Sequence, residues 1–319
     1  MDYTRRELGR LMLTSVPLAT LFPRRMGFGA AKPNSTFAGV RVGMNVPYNY
    51  PSGTTDHQRT MPVDDVIAKT ASLGVSTVEL RSQPIELFLG APMDVLEPGR
   101  GADKQKAAAD ALRAWRLRSD PSKAADVRKK FEAAGITADI VKFDNIYEFT
   151  DAETDYAFAL AKAAGARAVS CELEVKGAKR LGIFADKHAM MVGYHGHTKT
   201  PEAMFTEVFA AAKHNGANLD IGHYIAANLG DPVDFIKKYH DRITHIHVKD
   251  RQKQKADGND GDNVPFGHGD TPIRTALQTI RDNKWPIDAI IEFEYKVPGA
   301  DPMAEMSKCV EYCRKALEG

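Results

Sequence analysis

Eight short apolar runs rich in β-branched residues recur along this chain, and a helix-like pattern follows each one. The runs are Val40–Val46, Ser76–Leu80, Ile136–Phe143, Ala168–Val175, Met190–His197, Ala217–Ile221, Ile243–Val248 and Ala289–Tyr295. The helical patterns cover about 62–73, 122–134, 151–164, 178–188, 201–214, 232–240, 271–282 and 302–317. Pro62, Pro201, Pro232 and Pro302 open four of them, and Gly74, Gly135 and Gly165 close three; both residues suit those positions. Strict alternation of this kind predicts a parallel α/β fold. Eight units favour a closed (β/α)8 barrel over an open sheet, and 319 residues accommodate a barrel of ~250 residues with insertions. An open doubly wound sheet would carry a glycine-rich phosphate loop after its first strand. Gly43-Met44-Asn45-Val46-Pro47 is not one.

Loops that follow strands in such a barrel lie on its C-terminal face, where active sites are built. Two of them are long, 84–120 and 250–270, and loops of that length are usually functional lids or unstructured. The first holds Trp115 with Arg113, Arg116 and Arg118, a cluster that reads equally well as a solvated helix face.

The first thirty residues read as separate from the fold. Thr4-Arg5-Arg6-Glu7-Leu8 precedes a modestly apolar run from Leu11 to Leu21, and small residues from Gly27 to Ala31 follow. This is a charged segment, a short apolar segment and a cleavage zone. The arginine pair resembles a twin-arginine export signal, which acts as an address and not an anchor. We therefore expect residues 1–31 to be a signal peptide, 37–319 to be the barrel, and the mature protein to be periplasmic or otherwise exported. A disordered basic tail or an amphipathic helix is the alternative. The apolar run is shorter than the ~20 residues a membrane span needs, and no cysteine follows it to take a lipid, so no stable membrane anchor is expected. The net charge of +1 argues against nucleic acid and a polybasic membrane surface. Three cysteines form no zinc pattern. Cys309 and Cys313 lie one helical turn apart, where disulfide geometry is poor, and read as packing residues.

Metal-type and acid/base-type residues punctuate the ends of consecutive strands. Glu172, His195, Asp220, His247 and Glu292 stand at comparable points of strands four to eight. The first four are separated by 23, 25 and 27 residues, one βα unit each, and the 250–270 loop explains the gap of 45 before Glu292. Alone, each has a plain explanation: a strand-end Asp caps the next helix, and a lone His is usually a hydrogen-bonded core residue. Together, at one end of a barrel, they predict a mixed oxygen/nitrogen site for one divalent ion. Such a donor set suits Mn, Co, Mg or catalytic Zn.

Leu219-Asp220-Ile221-Gly222-His223, His245-Ile246-His247-Val248-Lys249-Asp250, Gly267-His268-Gly269-Asp270 and Ile290-Ile291-Glu292 resemble, in order and spacing, the xylose isomerase-like TIM-barrel superfamily. Sugar isomerases and epimerases, D-tagatose 3-epimerase and the inositol-pathway isomerases and dehydratases belong to it. The resemblance covers about 37–317 and implies Asp220, His247 and Glu292 as metal ligands. The family's usual fourth ligand is a Glu on strand five, where this chain has His195-Gly196-His197. Glu172 on the neighbouring strand is expected to complete the set, with His195 or His197 as a ligand or as a partner behind the ligands.

A site of this kind moves protons beside a carbonyl. Glu172 and Glu292 are the base candidates, followed by His195 and His197. Lys142, Lys199, His197 and His223 are candidates for binding substrate oxygens, and Lys249 and Asp250 for orienting the strand-seven loop. The expected activity is a metal-dependent sugar isomerase or epimerase. The alternative is a lyase or dehydratase that eliminates a β-leaving group from a keto sugar or 3-keto-glycoside. Phosphodiesterase and non-catalytic carbohydrate-binding barrels are further readings. Sugar-type small molecules are the expected partners, and homo-oligomerisation stays open.

Overall fold

The computed structural model describes residues 32–51, 61–93 and 102–319. Residues 1–31, where an export signal is expected, lie outside the described residues. Eight strands form the barrel: β1 (Val40–Val46), β2 (Thr77–Arg81), β3 (Thr137–Lys142), β4 (Ala168–Glu172), β5 (Met191–His195), β6 (Asn215–Asp220), β7 (Ile243–Val248) and β8 (Asp288–Ile291). All neighbouring pairs are parallel. β8 pairs with β1 through Ile290 opposite Gly43, and β1 pairs with β2 through Asn45 opposite Glu79, which closes the ring. The outer helices are α1 (Val63–Ser72), α2 (Ala124–Ala133), α3 (Asp151–Ala163), α4 (Val175–His188), α5 (Glu202–Ala211), α6 (Pro232–Tyr239), α7 (Ile273–Asn283) and α8 (Pro302–Glu318). The (β/α)8 expectation is met in every unit.

The strands alternate with period two. Val42, Met44, Val78, Leu80, Val141, Val169, Val192, Leu219, Ile246 and Val248 are buried in the apolar layer between strands and helices. The residues between them face the barrel's interior, and many are polar: Asn45, Glu79, Lys142, Ser170, His195, Asn218, Asp220, His245 and His247 are all buried. Most barrels fill this space with branched apolar side chains. Here His247 on β7 reaches Glu79 on β2, a contact available only across the interior.

The two ends of the barrel differ. At the N-terminal end Arg41 and Arg167 are shared by Asp139 and Asp288, with contacts of 2.5–3.2 Å. This network ties β1, β3 and β8 together below the polar interior. At the C-terminal end the described parts of the long loops carry structure of their own. The 84–120 stretch contains two helices that the sequence reading leaves as loop, Ser82–Phe88 and Ala102–Arg116. Arg116 is buried against Glu86 at 2.7 Å and Glu153 at 3.5 Å, and Arg113 reaches Glu153 at 3.1 Å. The arginine cluster therefore pins the second helix to α3 through Arg116 and the half-exposed Arg113, with Arg118 at the surface.

The loop after β7 is anchored by Asp250. Its carboxylate accepts backbone N–H groups of Gly267 (2.7 Å), Gly269 (3.0 Å) and Thr271 (3.3 Å). A Cβ at position 269 would overlap Asp250 Oδ1 and the Arg251 carbonyl, so the Gly-His-Gly-Asp run supplies the close backbone approach. Cys309 and Cys313 are buried and free.

Candidate active site

The site grows out of the polar interior at the C-terminal ends of β4 to β8. Asp220 ends β6 and its Oδ1 accepts the His223 N–H at 2.8 Å, capping a short helix, Ile221–Ala226. That helix holds His223 at the rim. The capping role leaves Oδ2 pointing inward, where the Lys249 ammonium lies 3.1 Å away. Glu292 follows β8, where its N–H still bonds the Val248 carbonyl. Asn45 Nδ2 donates to Glu292 Oε1 at 2.9 Å, and the Lys249 ammonium lies 2.7 Å from the other oxygen, Oε2.

His247 is positioned from below. Its Nε2 lies 2.6 Å from Glu79 Oε2, and both side chains are fully buried. The carboxylate accepts Nε2–H, so Nδ1 is the atom turned toward Glu292 Oε2, 3.2 Å away. Among the described residues His195 Nδ1 has no hydrogen-bond partner, and its ring lies 4.6 Å from that of His247.

His195, Asp220, His247 and Glu292 each offer a ligand atom, and these four atoms all lie within 4.8 Å of one another. Three other groupings contain only three residues each: Glu79, His245 and His247; His195, His197 and His223; and His223, Glu292 and Glu294. Among the described residues the quartet is the four-membered, wholly buried set. Its two carboxylates share the Lys249 ammonium, 2.7 Å from Glu292 Oε2 and 3.1 Å from Asp220 Oδ2, so a cation already belongs at this point. Two imidazoles and two carboxylates converging there form a donor set that fits a divalent cation.

Charge supports the same picture. Burial opposes ionisation of Glu292, but Lys249 and His247 outweigh it and hold the carboxyl well below its ordinary range. Glu79 is held low in the same way by His247 and His245. Burial depresses the His195 imidazole, with Lys142 and His247 adding to the effect, so it is neutral and ready to donate a lone pair. His247 is pushed up to about 10 by Glu292 and Glu79 against the effect of burial. To serve as a ligand there, His247 would have to give up its Nδ1 proton.

Glu172 stands elsewhere. Its side chain is 47% exposed, with Oε1 2.8 Å from Lys142 Nζ and Oε2 2.6 Å from His197 Nε2. Among the described residues it belongs to no metal-type grouping. Burial resists its ionisation, but His197 and Lys142 hold the carboxyl far below the usual range. The hydrogen bond to Glu172 raises the His197 imidazole. Thus the structure gathers Asp220, His247 and Glu292 with His195, and places Glu172, Lys142 and His197 in an adjoining polar group at the mouth. His223 bridges the two, its ring 4.9 Å from His197 and 5.9 Å from His195. Lys199 is exposed on the loop beyond.

Three residues of the site are absent from the sequence reading in these roles. Asn45 and Glu79 orient Glu292 and His247. Lys249, considered there for the loop, instead sends its ammonium to Asp220, Glu292 and Glu294. A charged residue between Val78 and Leu80 in a buried parallel strand is the signal that marks Glu79, because such strands are otherwise near-continuous apolar runs.

Comparison with known proteins follows the same lines. Residues 162–316 match the family model of the xylose isomerase-like TIM barrel. An inosose dehydratase of Clostridium perfringens is 25% identical over 157 residues, 44% of this chain and 52% of that protein. The chain thus spans about half the length of that curated relative. A xylose isomerase domain protein from Planctomyces limnophilus superposes with a TM-score of 0.59 at 15% identity, covering 89% of this chain and 98% of the other. A 3-keto-D-glucoside 4-epimerase from E. coli gives 0.56 at 10% identity over 86% and 99%. At these identities the structural likeness shows the fold alone.

Proposed function

We propose, from the premise that this chain is a xylose isomerase-like TIM barrel, that it is a metal-dependent enzyme removing a proton next to a carbonyl of a sugar-type substrate. The observation that carries the reading is the convergence of ligand-type atoms from His195, Asp220, His247 and Glu292, all buried and all within 4.8 Å of one another. These residues would hold one divalent ion. When bound, that ion would polarise a substrate carbonyl and stabilise the negative charge left by proton removal.

The chain's own groups supply the remaining chemistry. Glu172 is the carboxylate open to the mouth and is our assignment for the base, with Glu292 as the second proton-handling group. In the resting protein Lys142 and His197 keep Glu172 ionised but weakly basic. Substrate hydroxyls that draw those two donors away raise its basicity toward the range useful for catalysis. Lys142 Nζ and His197 Nε2 then bind substrate oxygens, with His223 beside them. Returning the proton to another position gives isomerisation or epimerisation.

Elimination is the second reading, and a specific observation favours it. His195 stands where the resemblance implies a strand-five glutamate, so the site lacks a carboxylate at that point. Two proton donors, Lys142 and His197, flank Glu172 and suit delivery of a proton to a departing hydroxyl or alkoxide. The Clostridium relative is itself an inosose dehydratase.

Incubation with keto sugars and keto polyols in D₂O tests both. Deuterium at the carbon beside the carbonyl, with an epimer or isomer formed, supports the first reading. An unsaturated keto product supports the second. Turnover that leaves every α C–H bond intact overturns both.

A further inference from the structure

Lys249 is the least expected group in the site. It follows β7 two residues after His247, so the two side chains share the interior face. Its side chain is 2% exposed, and its ammonium lies 2.7 Å from Glu292 Oε2 and 3.1 Å from Asp220 Oδ2. Both carboxylates belong to the buried quartet. On its other side the same nitrogen reaches Glu294 Oε2 at 2.7 Å and His223 Nε2 at 3.2 Å. The stem is built in: a Cβ at position 222 would overlap Lys249 Cγ and the Lys249 carbonyl. Gly222 therefore clears the path along which the lysine enters.

We propose that Lys249 sets the divalent-ion affinity of the quartet by competing for the carboxylate oxygens of Asp220 and Glu292. The inference rests on the metal reading above. Two carboxylates buried side by side repel each other and need a cation. Without metal, the ammonium provides it and keeps the pair ionised in a folded barrel. With metal, two cations would share the same oxygens at close range, which is strongly unfavourable in a buried site. The ammonium then withdraws toward Glu294, the third carboxylate it already touches. Glu294 is the release partner: it makes withdrawal of the lysine favourable and so raises the affinity for metal. Lys249 and Glu294 thereby act on affinity with opposite sign.

The test is titration of the chelator-stripped full chain with Mn²⁺ by calorimetry, with thermal melts at each endpoint. Lys249→Met keeps the stem and removes the charge. It should bind Mn²⁺ at least ~10-fold more tightly than the parent, a change of the size typical for coupling between two ligands of one site. Its metal-free form should melt lower and show a larger rise on loading. Glu294→Gln should bind several-fold more weakly. In the Lys249→Met background that penalty should shrink to less than about twofold, because residues acting through one another are not additive. If Lys249→Met does not fold without metal, rescue by Mn²⁺ supports the proposal, and absence of rescue together with an unchanged Glu294→Gln affinity overturns it. Equal affinities in the parent and Lys249→Met overturn the role of Lys249 and leave the metal reading standing. No binding of Mn²⁺, Co²⁺, Mg²⁺ or Zn²⁺ by any of the proteins overturns the metal reading itself.

Discussion

Glu79 Oε2 and His247 Nε2 meet 2.6 Å apart across the centre of the barrel, each on a fully buried side chain. A carboxylate behind a histidine fixes its tautomer and aims the opposite nitrogen. Glu79→Gln keeps the size but weakens the acceptor and removes the charge. We expect metal affinity to fall ~10–100-fold, the usual cost of losing such a partner. An unchanged dissociation constant by calorimetry would show that His247 is held by packing alone.

His195 and Glu172 separate by what their loss removes. His195→Ala should lose the ion, read by elemental analysis, while the barrel stays folded. Glu172→Gln should retain the ion and lower kcat by ~10²–10⁴-fold, the range expected for loss of a general base. The reverse pattern, ion lost with Glu172→Gln and kept with His195→Ala, would place Glu172 among the ligands.

The N-terminal end of the barrel gives a pH-dependent prediction. Burial opposes ionisation of Asp139, but Arg41 and Arg167 outweigh it and lower its carboxyl below the ordinary value of 3.8. A carboxyl depressed in the folded state stabilises above its unfolded pKa, and that contribution disappears as pH falls through the folded value. Asp139→Asn should cost about 1–2 kcal/mol at pH 7 by weakening its charged hydrogen bonds to the half-buried Arg41 and Arg167, which keep Asp288 as a partner. The difference between variant and parent in urea melts should narrow as pH falls below about 4. A gap that persists unchanged at pH 3 would assign the cost to geometry and not to charge.

Export remains our proposal from the Arg5-Arg6 pair and the apolar run that follows it. Protein from the native host should begin near Gly27 to Lys32 by N-terminal sequencing. Cytoplasmic protein with Met1 intact would defeat it.

The barrel is legible because each strand carries an apolar, β-branched alternate row that must pack under a helix, and that row survives in any reading of the sequence. Asp220, His247 and Glu292 are legible because they sit where strands end. Interior residues are harder to read. Asn45 and Glu79 lie inside strands, and only the closed ring shows that they face Glu292 and His247. The short helix Ile221–Ala226 is hidden because Ile221 continues the apolar pattern of β6, while the Asp220 cap that starts it doubles as part of the site. The helix Ser82–Phe88 is hidden by Pro84, which reads as a break but falls in the first turn, where its missing N–H costs nothing. Glu172 shows the limit of spacing arguments. It has the right interval from His195, yet Lys142, one strand earlier, and His197, one strand later, hold it at the mouth.

Asp250 has a consequence for how the mouth receives its substrate. By gathering three backbone N–H groups from 267–271, it fixes the far end of the loop after β7 while the barrel forms. Ordering a loose segment at each encounter would take roughly 1–2 kcal/mol per residue out of the affinity for substrate. Here that loss of freedom is incurred once, during folding. The wall beside Arg251 and His223 is thus a prepared surface, and binding energy is left over for holding the reacting atoms in place.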